Sequence, residues 1–124
     1  MGADFRLVDE TTGVTIARRV GLADGFFSRF KGLMLRRNFL PGEALFFTFR
    51  RTGRNSVHMF FVRFPIDLIY LGPDFRVVEI RTSLKPWRFH RSKAISRHLI
   101  ELPAGTVDHL KVKLGDKIRL EKRF

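Results

Sequence analysis

One histidine, one arginine and one aspartate stand inside an otherwise apolar stretch, "VHMFFVRFPIDLIYL", Val57 to Leu71. Histidine ordinarily changes charge near neutral pH, so His58 could move protons or bind a metal. The guanidinium of Arg63 could stack on a neighbouring ring or clamp an anion with two parallel hydrogen bonds. Asp67 opens a run whose alternate members, Ile69 and Leu71, are apolar. If that face turns inward, its carboxylate must be paired or hydrogen-bonded, because an unpaired buried charge is too costly. Each residue also has a plainer role. His58 could point to solvent or donate one structural hydrogen bond, and Arg63 could be the solvent-side residue of an edge strand. Asp67 could accept backbone N–H groups and hold the bend at Pro65-Ile66, since aspartate beside proline is common turn chemistry. Two strands joined at Pro65 would bring His58 and Asp67 together as an acid–base dyad.

Other chemistries find less in the sequence. With Cys 0, disulfides, thiolate metal sites and a cysteine nucleophile are excluded. His58, His90, His98 and His109 form no "HxxxH" or "HxH" pair, so no metal is expected. No serine stands in a "GxSxG" elbow. No "GxGxxG" or "GxxxxGKS" loop is present, so no cofactor is expected. Glu101 and Asp67 are a conceivable acid pair, but nothing in their spacing joins them.

The second chemical feature is charge. Lys plus Arg is 24 and Asp plus Glu is 12, a net +12, a balance that attracts polyanions. From Arg76 to His98 the cations are Arg76, Arg81, Lys85, Arg88, Arg91, Lys93 and Arg97, against one acid, Glu79. "KPWRFHR" adds Trp87, Phe89 and His90. Arginine mixed with aromatic rings suits single-stranded nucleic acid, where rings stack on bases and cations follow phosphates. The candidate nucleic-acid contacts are Lys85, Arg88, Arg91, Lys93 and Arg97. Arg50, Arg51 and Arg54 form a second cluster. Against this, RNP1, zinc-finger and helix-turn-helix patterns are missing, and positive charge also serves solubility.

These residues need elements to position them. At 124 residues the chain suits one domain spanning 1–124, large enough to bury a core without staples. "FRLVDE" and "VTIARRV" alternate apolar and polar residues around Gly13 and predict a hairpin. Asp24, Phe27, Phe30 and Met34 predict the main helix, with its apolar stripe read as core packing. A strand is expected at Ala44–Phe49, then a basic turn centred on Gly53. Two more follow at about Ser56–Phe61 and Asp67–Leu71, hinged at Pro65. "RVVEIRT", "ISRHLIELP" and "GDKIRLE" read as strands, "SLKPWRFHRSKA" as a loop and "AGTVDHLKV" as a short C-terminal helix. The expected fold is a strand-rich α+β domain: a curled, mostly antiparallel sheet or partly open β-barrel with one main helix. The charged start lacks a signal-peptide core and no apolar run approaches the roughly 20 residues of a membrane span. A cytoplasmic protein is the expectation.

Several pieces, in order, carry a resemblance: "RFKGLMLR", "EALFF", "VHMFFVRFPIDLIYL", "LKPWR", "LIELPAG" and "LGDKIRL". Together they resemble the family called domain of unknown function 192, over roughly Phe26 to Leu120. The resemblance implies a compact β-rich domain and no established catalytic activity. It singles out Gly32, Met34, His58, Met59, Pro65, Asp67, Glu101, Pro103 and Gly105. Where many members carry a tryptophan before the central methionine, this chain has His58. It looks closer to a branch with "HMFFVRFPID" followed by "PWR". Three functional readings follow. The first is a non-enzymatic binding or accessory domain with a polar groove near Pro65, using His58, Arg63, Asp67 and Trp87 for an unidentified ligand or protein partner. The second is nucleic-acid binding through segment 76–98. The third is a small acid–base enzyme using His58 and Asp67, which lacks a nucleophile, a metal set and a cofactor loop.

Overall fold

The computed structural model of the protein describes residues 5–23, 38–59 and 62–123. The helix expected around Asp24, Phe27, Phe30 and Met34 lies outside these residues. The described chain is mostly strand: β1 (Phe5–Asp9), β2 (Val14–Ala23), β3 (Glu43–Gly53), β4 (Ser56–His58), β5 (Ile66–Leu71), β6 (Val77–Leu84), β7 (Phe89–Arg91), β8 (Ser96–Pro103) and β9 (Ile118–Lys122). One short helix, Thr106–Leu110, falls between β8 and β9.

Seven strands make one sheet in the order β6-β5-β8-β3-β2-β1-β9. The predicted hairpin is β1–β2, closed by Gly13 at φ 81. The sheet is mixed, because β2 pairs parallel with β3 while every other neighbouring pair is antiparallel. Parallel strands need a crossover of roughly a dozen residues or more, and the chain between Ala23 and Glu43 is long enough to make one. The two edges of the sheet curl until they touch at one corner. There Val77 N–H donates to Asp116 O at 2.9 Å, and Ile118 N–H to Phe75 O at 2.9 Å. The result is a half-barrel, joined between β6 and β9 at their first residues.

Period-two alternation gives this sheet a core on each face. Leu7, Val20, Phe46, Ile69, Ile100 and Leu102 fill the inner face. Phe47, Val57, Met59, Leu68, Tyr70 and Leu99 fill the outer one. Strand β5 is central to both and is buried at all six positions. Its sequence "IDLIYL" is near-continuously apolar, as a strand covered on both faces must be.

The outer core is covered by a second, two-stranded sheet of β4 and β7. This corrects two expectations. The strand expected to run to Phe61 ends at His58, where Met59 turns to bond the 87–88 backbone: Met59 N–H donates to Arg88 O at 2.7 Å, and Trp87 N–H to Met59 O at 2.9 Å. The segment expected as a loop contains β7, whose partner lies some 30 residues upstream and is invisible to local pattern. Gly53 is also not a turn centre. It remains in β3, opposite Ser96, and the turn falls after it.

Candidate functional site

Asp67 is fully buried on the inner face and is satisfied by backbone alone. Its Oδ1 accepts Ser83 N–H at 2.9 Å; its Oδ2 accepts Gly105 N–H at 3.1 Å and Val107 N–H at 3.0 Å. None of these donors belongs to the Pro65-Ile66 bend. The carboxylate instead ties β6 and the Pro103–Val107 turn to β5. The β5–β6 register slips here: Ile66 faces Leu84 while Leu68 faces Arg81, so Asp67 stands opposite two residues. Ser83, one of them, takes φ 52, a left-handed conformation that non-glycine residues seldom adopt.

Sheet alternation separates the residues of the first expected groove. Val57 and Met59 pack on the outer core, so His58 belongs to the layer outside β5 while Asp67 points to the inner side. The two lie across the β5 backbone from each other, which leaves no dyad geometry. Glu101 stands opposite Leu68 and Leu102 opposite Asp67, so the two carboxylates also face opposite sides and form no acid pair. Arg63 is exposed ahead of β5. Trp87 is 58% exposed, with φ 66.

Beside the Pro65 bend, on the outer side, lies a basic cleft of about 330 Å³ lined by Arg81, Ser83, Leu84, Lys85, Arg88 and Phe89. Three of the six are cations and none is an acid. Leu84 forms the buried floor, opposite Ile66, and Phe89 stands 65% exposed at the rim. Two left-handed residues, Ser83 and Trp87, bracket the segment that forms it. Such strain persists where surrounding contacts over-determine it. Here those contacts are the Asp67–Ser83 bond on one side and the Met59–Trp87 bond on the other.

The covering layer that carries Arg88 and Phe89 is clipped in two further places. At its far end the Asn55 amide donates to Gly53 O and Ser96 O, each at 3.1 Å, and Ser92 N–H donates to Asn55 O at 2.9 Å. Beneath it, Tyr70 Oη and His90 Nδ1 are hydrogen-bonded at 2.9 Å. Glu79 Oε1 accepts Lys93 N–H at 2.7 Å and Ala94 N–H at 2.8 Å, while its Oε2 lies 3.5 Å from His90 Nε2. Burial lowers the His90 pKa, with Arg81 and Lys93 acting in the same direction against Glu79.

The candidate nucleic-acid residues thus divide. Lys85 and Arg88 line the cleft; Trp87, between them in sequence, is exposed and is not part of the lining. Arg91, on β7, and Lys93 are exposed further along the covering layer. Arg97 lies at the other end of β8, beside Ser96, which pairs with Gly53. That is on the order of 15 Å along β5 from the cleft, at 3.3 Å per residue. Exposed Arg50 and Arg51, near the end of β3, and Arg54, just after it, lie at that same far end. Arg81, Ser83 and Phe89 were not among the expected site residues. The usable signal for Arg81 was its charge in an otherwise half-buried strand; nothing local marked Ser83. Among the described residues no group of three His, Cys, Asp or Glu could hold a metal, and no helix is long and apolar enough to cross a membrane.

A second concavity, about 410 Å³, opens beside the helix Thr106–Leu110, between the Pro103–Gly105 turn, β2 and the Pro41-Gly42 turn.

Comparison with known proteins agrees with this architecture. A crystal structure from Sinorhizobium meliloti, described as "a putative transcription regulator", superposes with a TM-score of 0.82 at 29% identity, covering 93% of this chain and 90% of that one. A protein of unknown function from Novosphingobium aromaticivorans shares the fold, with a TM-score of 0.81 at 24% identity over 94% of this chain and 83% of that one. A UPF0127 protein of Thermococcus sibiricus is 39% identical over 117 residues, 93% of this chain and 74% of the relative. One from Pyrococcus horikoshii is 39% identical over 115 residues, 91% and 96%. Residues 7–120 match the uncharacterized family DUF192, and the chain belongs to this DUF192/UPF0127 family.

Proposed function

We propose that the protein is a non-enzymatic binding domain that takes single-stranded nucleic acid in the basic cleft beside Pro65. The observation that carries this reading is the cleft's lining: Arg81, Lys85 and Arg88 with Ser83, no carboxylate among the described residues, and the exposed ring of Phe89, with exposed Trp87 next to Arg88 in the chain. Cations neutralise phosphates and rings accept stacked bases, which is how sequence-tolerant single-strand binders work. The exposed cations Arg91 and Lys93 extend the same charge along the covering layer, and Arg51 and Arg54 stand at its far end, so a strand longer than the cleft would continue to meet cations. The transcription-regulator description of the Sinorhizobium relative is in keeping with a nucleic-acid role.

Trp87 is the single tryptophan of the chain, so it reports on this site without interference. Short single-stranded RNA titrated at low salt quenches its fluorescence. Each phosphate contact contributes about −0.7 to the slope of log affinity against log salt, so three cleft cations account for a slope of about −2. The Arg81→Glu and Arg88→Glu variants together lose most of that slope. Absence of quenching at low salt, or a slope unchanged in the double variant, would reject the reading.

A further inference from the structure

We infer that the 410 Å³ concavity is a second, independent binding site, for a small amphiphilic carboxylate: a hydrocarbon body with one anionic head. Its size falls within the roughly 300–1,000 Å³ usual for small-molecule sites, which are mainly apolar with a few placed polar groups. The walls have that composition. Ile16, Pro41, Pro103 and Leu110 supply apolar surface, and Ala17 and Ala104 leave room between them. The polar side chains are Thr15, Arg18, Thr106 and His109. Among the described residues the lining contains no carboxylate, and none pairs with Arg18. The Thr106 hydroxyl already donates to Pro103 O at 2.7 Å, so it has only lone pairs to offer. The donors left to meet a ligand's head are the Arg18 guanidinium, the Thr15 hydroxyl and an imidazole N–H of His109. A carboxylate is the group that a guanidinium fork fits best while an apolar tail occupies the rest.

The rim is built in advance. Gly42 (φ 89) and Gly105 (φ 93) each make a turn in the left-handed region, and a Cβ at either would meet nothing within 4 Å. Their conformation, not crowding, calls for glycine. Gly42 O accepts the N–H groups of Arg18 at 2.9 Å and Arg19 at 3.0 Å, which fixes one turn to β2. Asp67 fixes the other through Gly105 and Val107. A preformed apolar concavity avoids the ordering cost that would otherwise weaken binding of a small ligand.

The test uses decanoate, below its micelle concentration, against the full ¹⁵N-labelled chain, with decanol and decylamine as comparators. Decanoate shifts amides of Thr15–Arg18 and Ala104–Leu110, and binds at least tenfold more tightly than either comparator. Arg18→Glu weakens decanoate at least tenfold without improving decanol. Ala104→Trp, which fills the concavity and leaves Arg18 in place, abolishes the shifts. The site is separate from the basic cleft, so Arg18→Glu leaves RNA quenching of Trp87 unchanged, and either proposal can fail alone. No shifts up to the solubility limit, shifts confined to other residues, equal binding of decanol, or indifference to Arg18→Glu would each overturn it.

Discussion

A buried charge must find its partners, and at the residue scale two aspartates solve this differently. Asp67 is satisfied by three backbone N–H groups from two other elements. An asparagine there keeps one acceptor oxygen and turns an NH₂ toward donors. Asp67→Asn should therefore cost about 2–4 kcal/mol, several times a typical single hydrogen bond, measured as a lower urea midpoint with unchanged slope. Asp9 is the opposite case. Its Oδ1 accepts Thr11 and Thr12 N–H, but its Oδ2 is buried with no hydrogen-bond donor in place, and Asp116 lies beside it. Burial and the Asp116 carboxyl raise its pKa from 3.8 to about 6. A carboxyl raised in the folded state binds its proton more tightly there than when unfolded. Stability from this group is therefore full at low pH and is lost as pH rises from about 4 to above 6. Asp9→Asn should stabilise the protein by roughly 1–3 kcal/mol at pH 8 and by almost nothing at pH 4, followed by urea unfolding at both pH values. The carboxylate's burial at position 67 was legible from its alternation with Ile69 and Leu71. Its donors were not, because Ser83, Gly105 and Val107 are 16 to 40 positions away.

At the element scale, the covering layer β4–β7 is the part that local sequence describes least well. Each strand has three residues, and an isolated pair that short is not stable in water. It holds because Val57 and Met59 are buried against β5, and because Asn55 and Met59 clip its two ends. Asn55→Ala removes amide donors from Gly53 O and Ser96 O. We expect a loss of about 1–3 kcal/mol, with faster amide exchange across Phe89–Arg91 and little change in β5. Exchange accelerating equally in β5 would mean that the layer and the main sheet open together. By contrast β1, β2, β5, β6, β8, β9 and the short helix were all expected near their observed places. Their alternation and turn residues are short-range signals. Strand β7 carried none, since "FHR" is too short to show a period and its partner is distant.

For the whole molecule, charge and histidine burial set the response to solution conditions. The net charge is +12, and repulsion among these cations opposes the compact state. Raising salt from about 0.05 M to 0.5 M shortens the screening length severalfold. It should raise the melting temperature while weakening RNA binding, a pair of opposite trends measurable on one preparation. Two histidines are held below their ordinary pKa. His90 is lowered first by burial, and His98, packed against the rings of Phe46 and Phe75, by burial and then Arg97. Each binds a proton less readily when folded, so stability rises with pH between its lowered pKa and about 6.5, then levels off. This trend opposes that of Asp9; in Asp9→Asn the rise should stand alone. The sequence by itself determined the strand-rich fold, the hairpin and the basic character, because composition, alternation and turn chemistry act over a few residues; the family was legible from the ordered set of motifs that resembles it. The tertiary structure decided which polar groups share a space. A strand's two faces diverge at every residue, so one step along β5 sends Asp67 and the layer of His58 to opposite sides. Strand order brings Arg81, Lys85 and Arg88 into one cleft, and Arg18 to face Pro103.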